Sequence, residues 1–460
     1  MNAQMPEDMR SVYFIGIAGI GMSALARYFK RTGVKVSGYD VDRSALAKEL
    51  EQEGITIHYS EQESIMLDTP DMVVYTPAVP ESHQGLRHYR NIGVPVVKRS
   101  QVLGWISAKH KCIAVAGTHG KTTTSALITH VLRKCDVGAT AFLGGLVPDL
   151  GGNFVHGDSE WLVAEADEYD RSFLALSPEI AVVTAMDPDH LDIYGSYDEM
   201  IAGYVAFLQK VHSGGIVILH EDVRQMLGQQ IVEGFEARNI RMITFGNDAD
   251  YRLVEVRPED EGVRFVLDVP DGMSRTIVIG MPGLHNALNA TVALIICDVL
   301  NLDVRRAMEA LANFSGVRRR FEIAYADDKR TIIDDYAHHP AELSAAINAA
   351  RLQYPGKRIT GVFQPHLYSR TKDFYREFAT SLDALDTGIL VELYPARELP
   401  VEGVSSKMIF DAMKNRDKYL TTKNKLIPLL VSLNPEILVL LGAGDLDRMV
   451  PEIIGKLKEL

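Results

Sequence analysis

Residues 117–122 read Gly-Thr-His-Gly-Lys-Thr, and glycine, lysine and hydroxyl at this spacing suit a polyphosphate. An apolar run at 112–115 precedes them, and a helical pattern at 125–132 follows. A glycine-bearing turn between strand and helix points backbone N–H groups, and the positive end of the helix dipole, at an anion. A lysine at the turn then meets terminal phosphates, and the hydroxyl after it meets their Mg²⁺. The plainer alternative is a tight turn with a surface lysine, but the order strand, Gly-Lys-Thr, helix favours phosphate. The common P-loop has a further glycine five residues before its last one, where this chain has Val115. The loop is therefore the shorter G-x-x-G-K-T form, unlike that of ordinary GTPases and motor ATPases. Gly117, Thr118, His119, Gly120, Lys121, Thr122 and Thr123 are the nucleotide-binding candidates.

Polar residues close several other strand-like runs. Glu165-Ala166-Asp167-Glu168-Tyr169-Asp170 follows the run 161–164, where a carboxylate can hold Mg²⁺ opposite Thr122. By charge alone this segment reads equally well as a solvated acidic loop. Asp187-Pro188-Asp189-His190 ends the next run; histidine is an unusual Mg²⁺ ligand, so residue type makes His190 a hydrogen-bonding group. Two such clusters beside a phosphate loop favour a joint metal–nucleotide site. Asn286 and Asn289 lie one turn apart on a helix opened by His285. Carboxamides suit a purine edge, yet spacing alone favours helix capping. Arg318-Arg319-Arg320 is either a solvated face or a source of charge for a transferring phosphoryl group. Residues 334–340 (Asp-Asp-Tyr-Ala-His-His-Pro), Gln364-Pro365-His366 and Gly442-Ala443-Gly444-Asp445 also follow strands and suggest a further crevice.

Near the N-terminus, residues 16–21 form a G-x-x-G-x-G turn, whereas the dinucleotide fingerprint is G-x-G-x-x-G. A diphosphate can still lie on the helix that follows, with Asp40 at a ribose hydroxyl. In isolation the turn suggests a nicotinamide dehydrogenase, a reading that the second phosphate loop opposes.

Parallel sheets are needed to carry these residues. Runs of strand and helix alternate along most of the chain, which implies right-handed crossovers. At 460 residues about three domains are expected. Residues 1–108 read as a Rossmann-like parallel sheet. Residues 109–315 read as a central P-loop-type ATPase α/β domain, with an antiparallel β subsheet at 251–280. Residues 316–460 read as a C-terminal Rossmann-like α/β domain opened by a hairpin. The net charge of −13 argues against a nucleic-acid or anionic-membrane surface. Cys112, Cys135 and Cys297 have no metal or disulfide spacing, as in a reduced cytoplasmic protein. No signal peptide or membrane-spanning run is expected.

Taken in order, residues 16–23, 117–124, 165–170, 189–190, 285–289, 334–340 and 364–366 resemble the Mur ligases of bacterial cell-wall synthesis. The resemblance covers residues 13–449 and is strongest to the alanine-adding branch. It implies an ATP-dependent amide ligase joining L-alanine to the lactyl carboxylate of UDP-N-acetylmuramate through an acyl phosphate, with ADP and phosphate released. A bacterial cytoplasmic monomer or homodimer is implied. Gly19, Gly21, Met22 and Ser23 would lie near the sugar's diphosphate. Lys121 would hold terminal phosphates, while Thr122, Glu165 and His190 would belong to Mg²⁺ sites. Asn286 and Asn289 would contact adenine with His285 nearby, and Arg319 or Arg320 would reach the transferred phosphate. Tyr336, His338, His366 and Arg370 would serve the amino acid and the lactyl group, with His190 or His338 as general base. Later-acting members carry a metal-supporting lysine shortly after the Asp-His pair; residues 192–208 contain none, and Tyr204 stands at about that place. The alternatives are a peptide-adding ligase of wall recycling that uses the same UDP-sugar, and a non-catalytic nucleotide-binding homologue.

Overall fold

The computed structural model describes residues 5–6, 8–64, 69–189, 191–259, 262–396 and 398–460. By compactness the chain divides into two units: residues 1–254, 267–275 and 288–311, and residues 255–266, 276–287 and 312–460. His190, one of the expected metal residues, lies outside the described residues.

The first sheet comprises β1 (Ser11–Ile15), β2 (Lys35–Tyr39), β3 (Thr56–His58), β4 (Met72–Tyr75) and β5 (Val96–Lys98), in the order β3-β2-β1-β4-β5. All its pairings are parallel. The chain runs outward from β1 in both directions, which opens a crevice at the carboxyl end of that strand. The glycine turn 16–21 and the helix Ile20–Arg31 begin there.

The second sheet has ten strands: β6 (Lys111–Ala116), β7 (Thr140–Val147), β8 (Gly152–Val155), β9 (Trp161–Glu165), β10 (Pro178–Val183), β11 (Ile216–His220), β12 (Arg241–Gly246), β13 (Tyr251–Glu259), β14 (Gly262–Asp268) and β15 (Ser274–Ile279). Their order is β8-β7-β9-β6-β10-β11-β12-β13-β14-β15. β6, buried and apolar after Lys111, runs parallel to both β9 and β10, with Val115 level with Glu165 and Ala116 level with Val183. This register puts the phosphate loop, the acidic segment and the residues after β10 on one edge. β7 and β8 were not anticipated. They form an antiparallel pair whose Gly144 and Gly145 interrupt the alternation that marks a strand. The loop's helix also starts earlier than its pattern, at Lys121, because three successive β-branched threonines mask the apolar period.

The third sheet comprises β16 (Glu322–Ala326), β17 (Thr331–Asp335), β18 (Ile359–Phe363), β19 (Thr387–Leu390), β20 (Lys418–Leu420) and β21 (Ile437–Leu441), in the order β16-β17-β21-β18-β19-β20. The expected hairpin is β16–β17, antiparallel; the remaining pairings are parallel. Asp335, Leu441 and Phe363 are in register, so the segments after them share an edge. Three α/β domains in series, one per sheet, is the architecture read from the sequence.

Candidate functional site

In the first unit, the loop after β6 is shaped by two glycines in the left-handed region, Gly117 (φ 135°) and Gly120 (φ 82°). Side chains are excluded at both. A Cβ on Gly117 would collide with Thr184 Oγ1 and lie 2.9 Å from the Ala185 backbone N, and one on Gly120 would lie 2.6 Å from Asn289 Oδ1. Thr118 N–H donates to Ala185 O (3.0 Å), and Thr118 Oγ1 accepts from Asp187 N–H (3.0 Å). His119 Nε2 lies 3.3 Å from Asp187 Oδ2. Thr123 is buried in the helix's first turn. The loop is thus pinned to the end of β10, with the N-terminus of the helix Lys121–Lys134 behind it.

Each carboxylate of the acidic segment has its own cation or hydroxyl. Thr122 Oγ1 lies 3.0 Å from both Glu165 oxygens. Lys121 Nζ donates to Gly117 O (2.6 Å) and to Glu168 Oε1 (2.8 Å). Burial alone would lower the Lys121 pKa, but Glu168, then Asp167 and Glu165, outweigh it and hold the ammonium above its ordinary value. Arg99 binds Asp167 (3.1 Å) and Lys98 binds Asp170 (2.7 Å). Asp170 and Arg171 are non-glycine residues in the left-handed region (φ 53° and 54°). Two such residues cost on the order of 1–2 kcal/mol each. The Tyr194 hydroxyl donates to Glu168 O (2.8 Å), so the strained turn is tied from outside. Thr122 and Glu165 fit a hard divalent cation. Both offer oxygen, and neighbouring ligands of an octahedral Mg²⁺ with bonds of about 2.1 Å lie about 3 Å apart.

The N-terminal turn departs from expectation in detail. Asp40 Oδ2 accepts from Ala18 N–H (2.8 Å), so this carboxylate ties the turn itself. Met22 is packed in the core. Ser23 is fully buried; its hydroxyl donates to Ile20 O (2.9 Å), and Asn153 Nδ2 donates to that hydroxyl (2.9 Å). The Ser23 N–H bonds Gly19 O (2.8 Å). The side chains of Met22 and Ser23 therefore pack inward, behind the start of the helix, whereas Gly19 is open to solvent. Asn289 Oδ1 accepts from Thr124 Oγ1 (3.0 Å), bracing the phosphate loop's helix.

In the second unit, Asn286 Nδ2 donates to Pro282 O (2.7 Å). Loss of hydration, helped by Arg320 and opposed by Glu342, drives His285 down to about 4, so its imidazole is neutral. Arg319 and Arg320 lie over the Tyr336 ring at 5.0 and 5.2 Å. Arg319 also approaches Asp447 (3.4 Å) and Asp334 (3.6 Å). Burial, only partly offset by Arg319, pushes Asp334 up to about 7. Asp335, raised to about 6 by burial, accepts backbone N–H bonds from Phe321 and Ala337 (both 2.7 Å). His338 packs edge-on against Tyr336 (5.2 Å) and His366 (6.0 Å), and His366 stacks on Tyr394. Arg370 is buried in the first turn of the helix Tyr368–Leu382.

Family profiles match in three successive blocks: "Mur ligase family, catalytic domain" over residues 11–111, "Mur ligase middle domain" over 115–297 and "Mur ligase, glutamate ligase domain" over 319–444. A UDP-N-acetylmuramate–L-alanine ligase of Cytophaga hutchinsonii is 44% identical over 97% of this chain and 96% of its own length. This chain belongs to the Mur ligase family. A ligase of the same name from Porphyromonas gingivalis is 42% identical, covering 96% of this chain and 98% of its own. The crystal structure of the Thermotoga maritima UDP-N-acetylmuramate–alanine ligase superposes with a TM-score of 0.82 at 28% identity, covering 98% of this chain and 99% of that one.

In this Mur ligase the structure gathers Gly117, Thr118, His119, Gly120, Lys121, Thr122 and Glu165 on one sheet edge, and Arg319, Arg320, Tyr336, His338 and His366 on another. Sequence reasoning passed over Glu168, only 1% exposed beneath Lys121, and Arg99. Glu168 was hidden among four acids whose directions depend on the strained turn. Arg99 belongs to no motif. Tyr204, noted in place of the later-acting members' lysine, is wholly buried, edge-on to Phe173 at 5.3 Å.

Proposed function

We infer that the chain is an ATP-dependent ligase joining L-alanine to the lactyl carboxylate of UDP-N-acetylmuramate, releasing ADP and phosphate, in peptidoglycan precursor synthesis. The observation that carries this reading is the pairing of Lys121 with Glu168 and of Thr122 with Glu165 at the G-x-x-G-K-T loop, in a chain matched end to end by ligases of that name. A free carboxylate is a poor acyl donor; transfer of a phosphoryl group onto it creates an acyl phosphate that an amine can attack, with phosphate leaving. Lys121 and the N–H groups at the start of its helix oppose the charge on the phosphoryl oxygens. Thr122 and Glu165 would hold Mg²⁺, which would supply further neutralisation when bound. In the second unit His338 Nδ1 faces Tyr336 O (2.9 Å) and Glu342 Oε2 (3.2 Å), both acceptors. These keep the proton on Nδ1 and the basic lone pair on Nε2, the tautomer a general base for the amine requires. Tyr336, His366 and Arg370 are assigned to the amino acid and lactyl groups. A cytoplasmic location fits this chemistry, and no described helix is long and apolar enough to cross a membrane.

Phosphate release from ATP, measured with UDP-N-acetylmuramate and L-alanine, glycine, L-serine or a tripeptide in turn, tests the reading. Release that requires both the sugar and L-alanine supports it. Preference for the tripeptide selects the recycling reaction, and absence of turnover with every acceptor overturns both.

A further inference from the structure

Two carboxylates of the acidic segment, Asp167 and Asp170, serve neither Lys121 nor Thr122 as hydrogen-bond partners. They are held by consecutive basic residues, Arg99 (Nη2 to Oδ2, 3.1 Å) and Lys98 (Nζ to Oδ2, 2.7 Å). The Arg99 guanidinium lies directly over Gly21: a Cβ there would sit 2.5 Å from Nη1. Glycine at this position lets a cation reach the first turn of the helix Ile20–Arg31, whose N-terminal end already favours an anion. A cavity of about 170 Å³ opens beside it, lined by Gly21, Leu25, Leu103, Phe142, Arg99 and Asp167. Glu165, the partner of Thr122, also lines it. One cavity is therefore bordered by the N-terminal glycine turn, by a guanidinium and by the carboxylate that serves the phosphate loop.

We propose that Arg99 is the anion-receiving residue of the sugar-nucleotide site, and that Asp167 occupies its guanidinium until an oxyanion of the substrate replaces it. The nature of the substrate rests on the function inferred above. Asp167 is suited to being displaced. It engages Arg99 through one nitrogen and one oxygen, and its side chain is 37% exposed. A phosphate or carboxylate presented within the cavity can take the planar guanidinium through two parallel bonds, the stronger arrangement. The apolar side chains in its wall, Leu25, Leu103 and Phe142, lower the local dielectric and strengthen that contact. Diphosphate and carboxylate are both oxyanions of the same substrate, and either can be the group received.

Calorimetric titration of the full chain with UDP, UDP-N-acetylglucosamine and UDP-N-acetylmuramate tests the assignment and separates the two sources. Arg99→Gln is expected to weaken UDP-N-acetylmuramate roughly tenfold or more, the scale of a charge-assisted bond. Asp167→Asn is expected to tighten it several-fold, because the competing anion is gone. If the diphosphate is received, Arg99→Gln weakens all three ligands alike; if the carboxylate is, only UDP-N-acetylmuramate suffers. Arg99→Lys, which keeps the charge and loses the fork, falls between, and with Asp167→Asn decides the matter should Arg99→Gln fold poorly. Unchanged affinities in the Arg99 variants, or weaker binding in Asp167→Asn, overturn the assignment. Failure of the unaltered protein to bind UDP-N-acetylmuramate would instead remove the function on which it rests.

Discussion

At the scale of single residues, Lys121, proposed above as the phosphate cation, is also the counter-charge of a nearly inaccessible carboxylate, Glu168. Lys121→Ala is therefore expected to abolish ATP turnover, falling by at least about 10²-fold, and to destabilise as well. Removing one partner of a buried pair costs on the order of 3 kcal/mol. The double variant Lys121→Ala, Glu168→Gln should regain most of that stability and none of the activity. Turnover and denaturant midpoints measured together decide this; a single variant with an unchanged midpoint would refute the buried-pair account. The loop lysine was legible from its spacing, but its partner was not, since spacing cannot tell which of Glu165, Asp167, Glu168 and Asp170 points at it. Asp334 yields a pH prediction. Its folded pKa, about 7, lies above the ordinary 3.8, so the fold loses stability as pH rises between those values. Asp334→Asn should match the parent near pH 3.5 and exceed it by up to about 4 kcal/mol at pH 8. An equal difference at both pH values would remove burial as the cause.

At the scale of elements, the loop between β6 and its helix works because glycine alone fits at two places, for different reasons. The Gly117 position is closed by Thr184 and by backbone atoms, which cannot swing aside, whereas Gly120 meets the end of one side chain, Asn289. Gly151 shares the left-handed φ (75°) with nothing within 4 Å of its missing Cβ. Alanine is therefore expected to cost about 1 kcal/mol at Gly151, from conformation alone, more at Gly120 and most at Gly117. Urea midpoints of the three variants give the order, and a Gly117→Ala protein as stable as Gly151→Ala would contradict it. The glycines, the strand before them and the crossovers were readable because each leaves a local period or spacing. The β7–β8 hairpin and the role of Ser23 were not. The hairpin is masked locally by Gly144 and Gly145, and Ser23 is fixed by Asn153, more than a hundred residues away, a contact that no window of sequence contains.

At the scale of the molecule, two compact units of unequal content predict two unfolding steps rather than one. The phosphate loop, the acidic segment and Arg99 belong to the first unit; Asp334, Asp335 and His285 belong to the second. Their stabilities should respond to different variables. A non-hydrolysable ATP analogue at 100 times its Kd adds about 2.7 kcal/mol to whatever unfolds with its site, so it should raise the transition of the first unit, which holds the loop, more than that of the second, which holds Asn286. Rising pH should separate them the other way, because the first unit's His83, His110 and His130, held below their ordinary value by burial, lose stability only as pH falls. In the second unit, Asp334 and Asp335 lose stability as pH climbs from about 4 toward 7 and 6. His285, held neutral with a pKa of about 4, loses it as pH falls from 6.5. Scanning calorimetry from pH 4 to 8, with and without the analogue, reads both responses in one series. A single transition moved equally by nucleotide and by pH would mean that the units unfold as one body, and that the chemistry of the loop and the titration of the C-terminal carboxylates share a common stability.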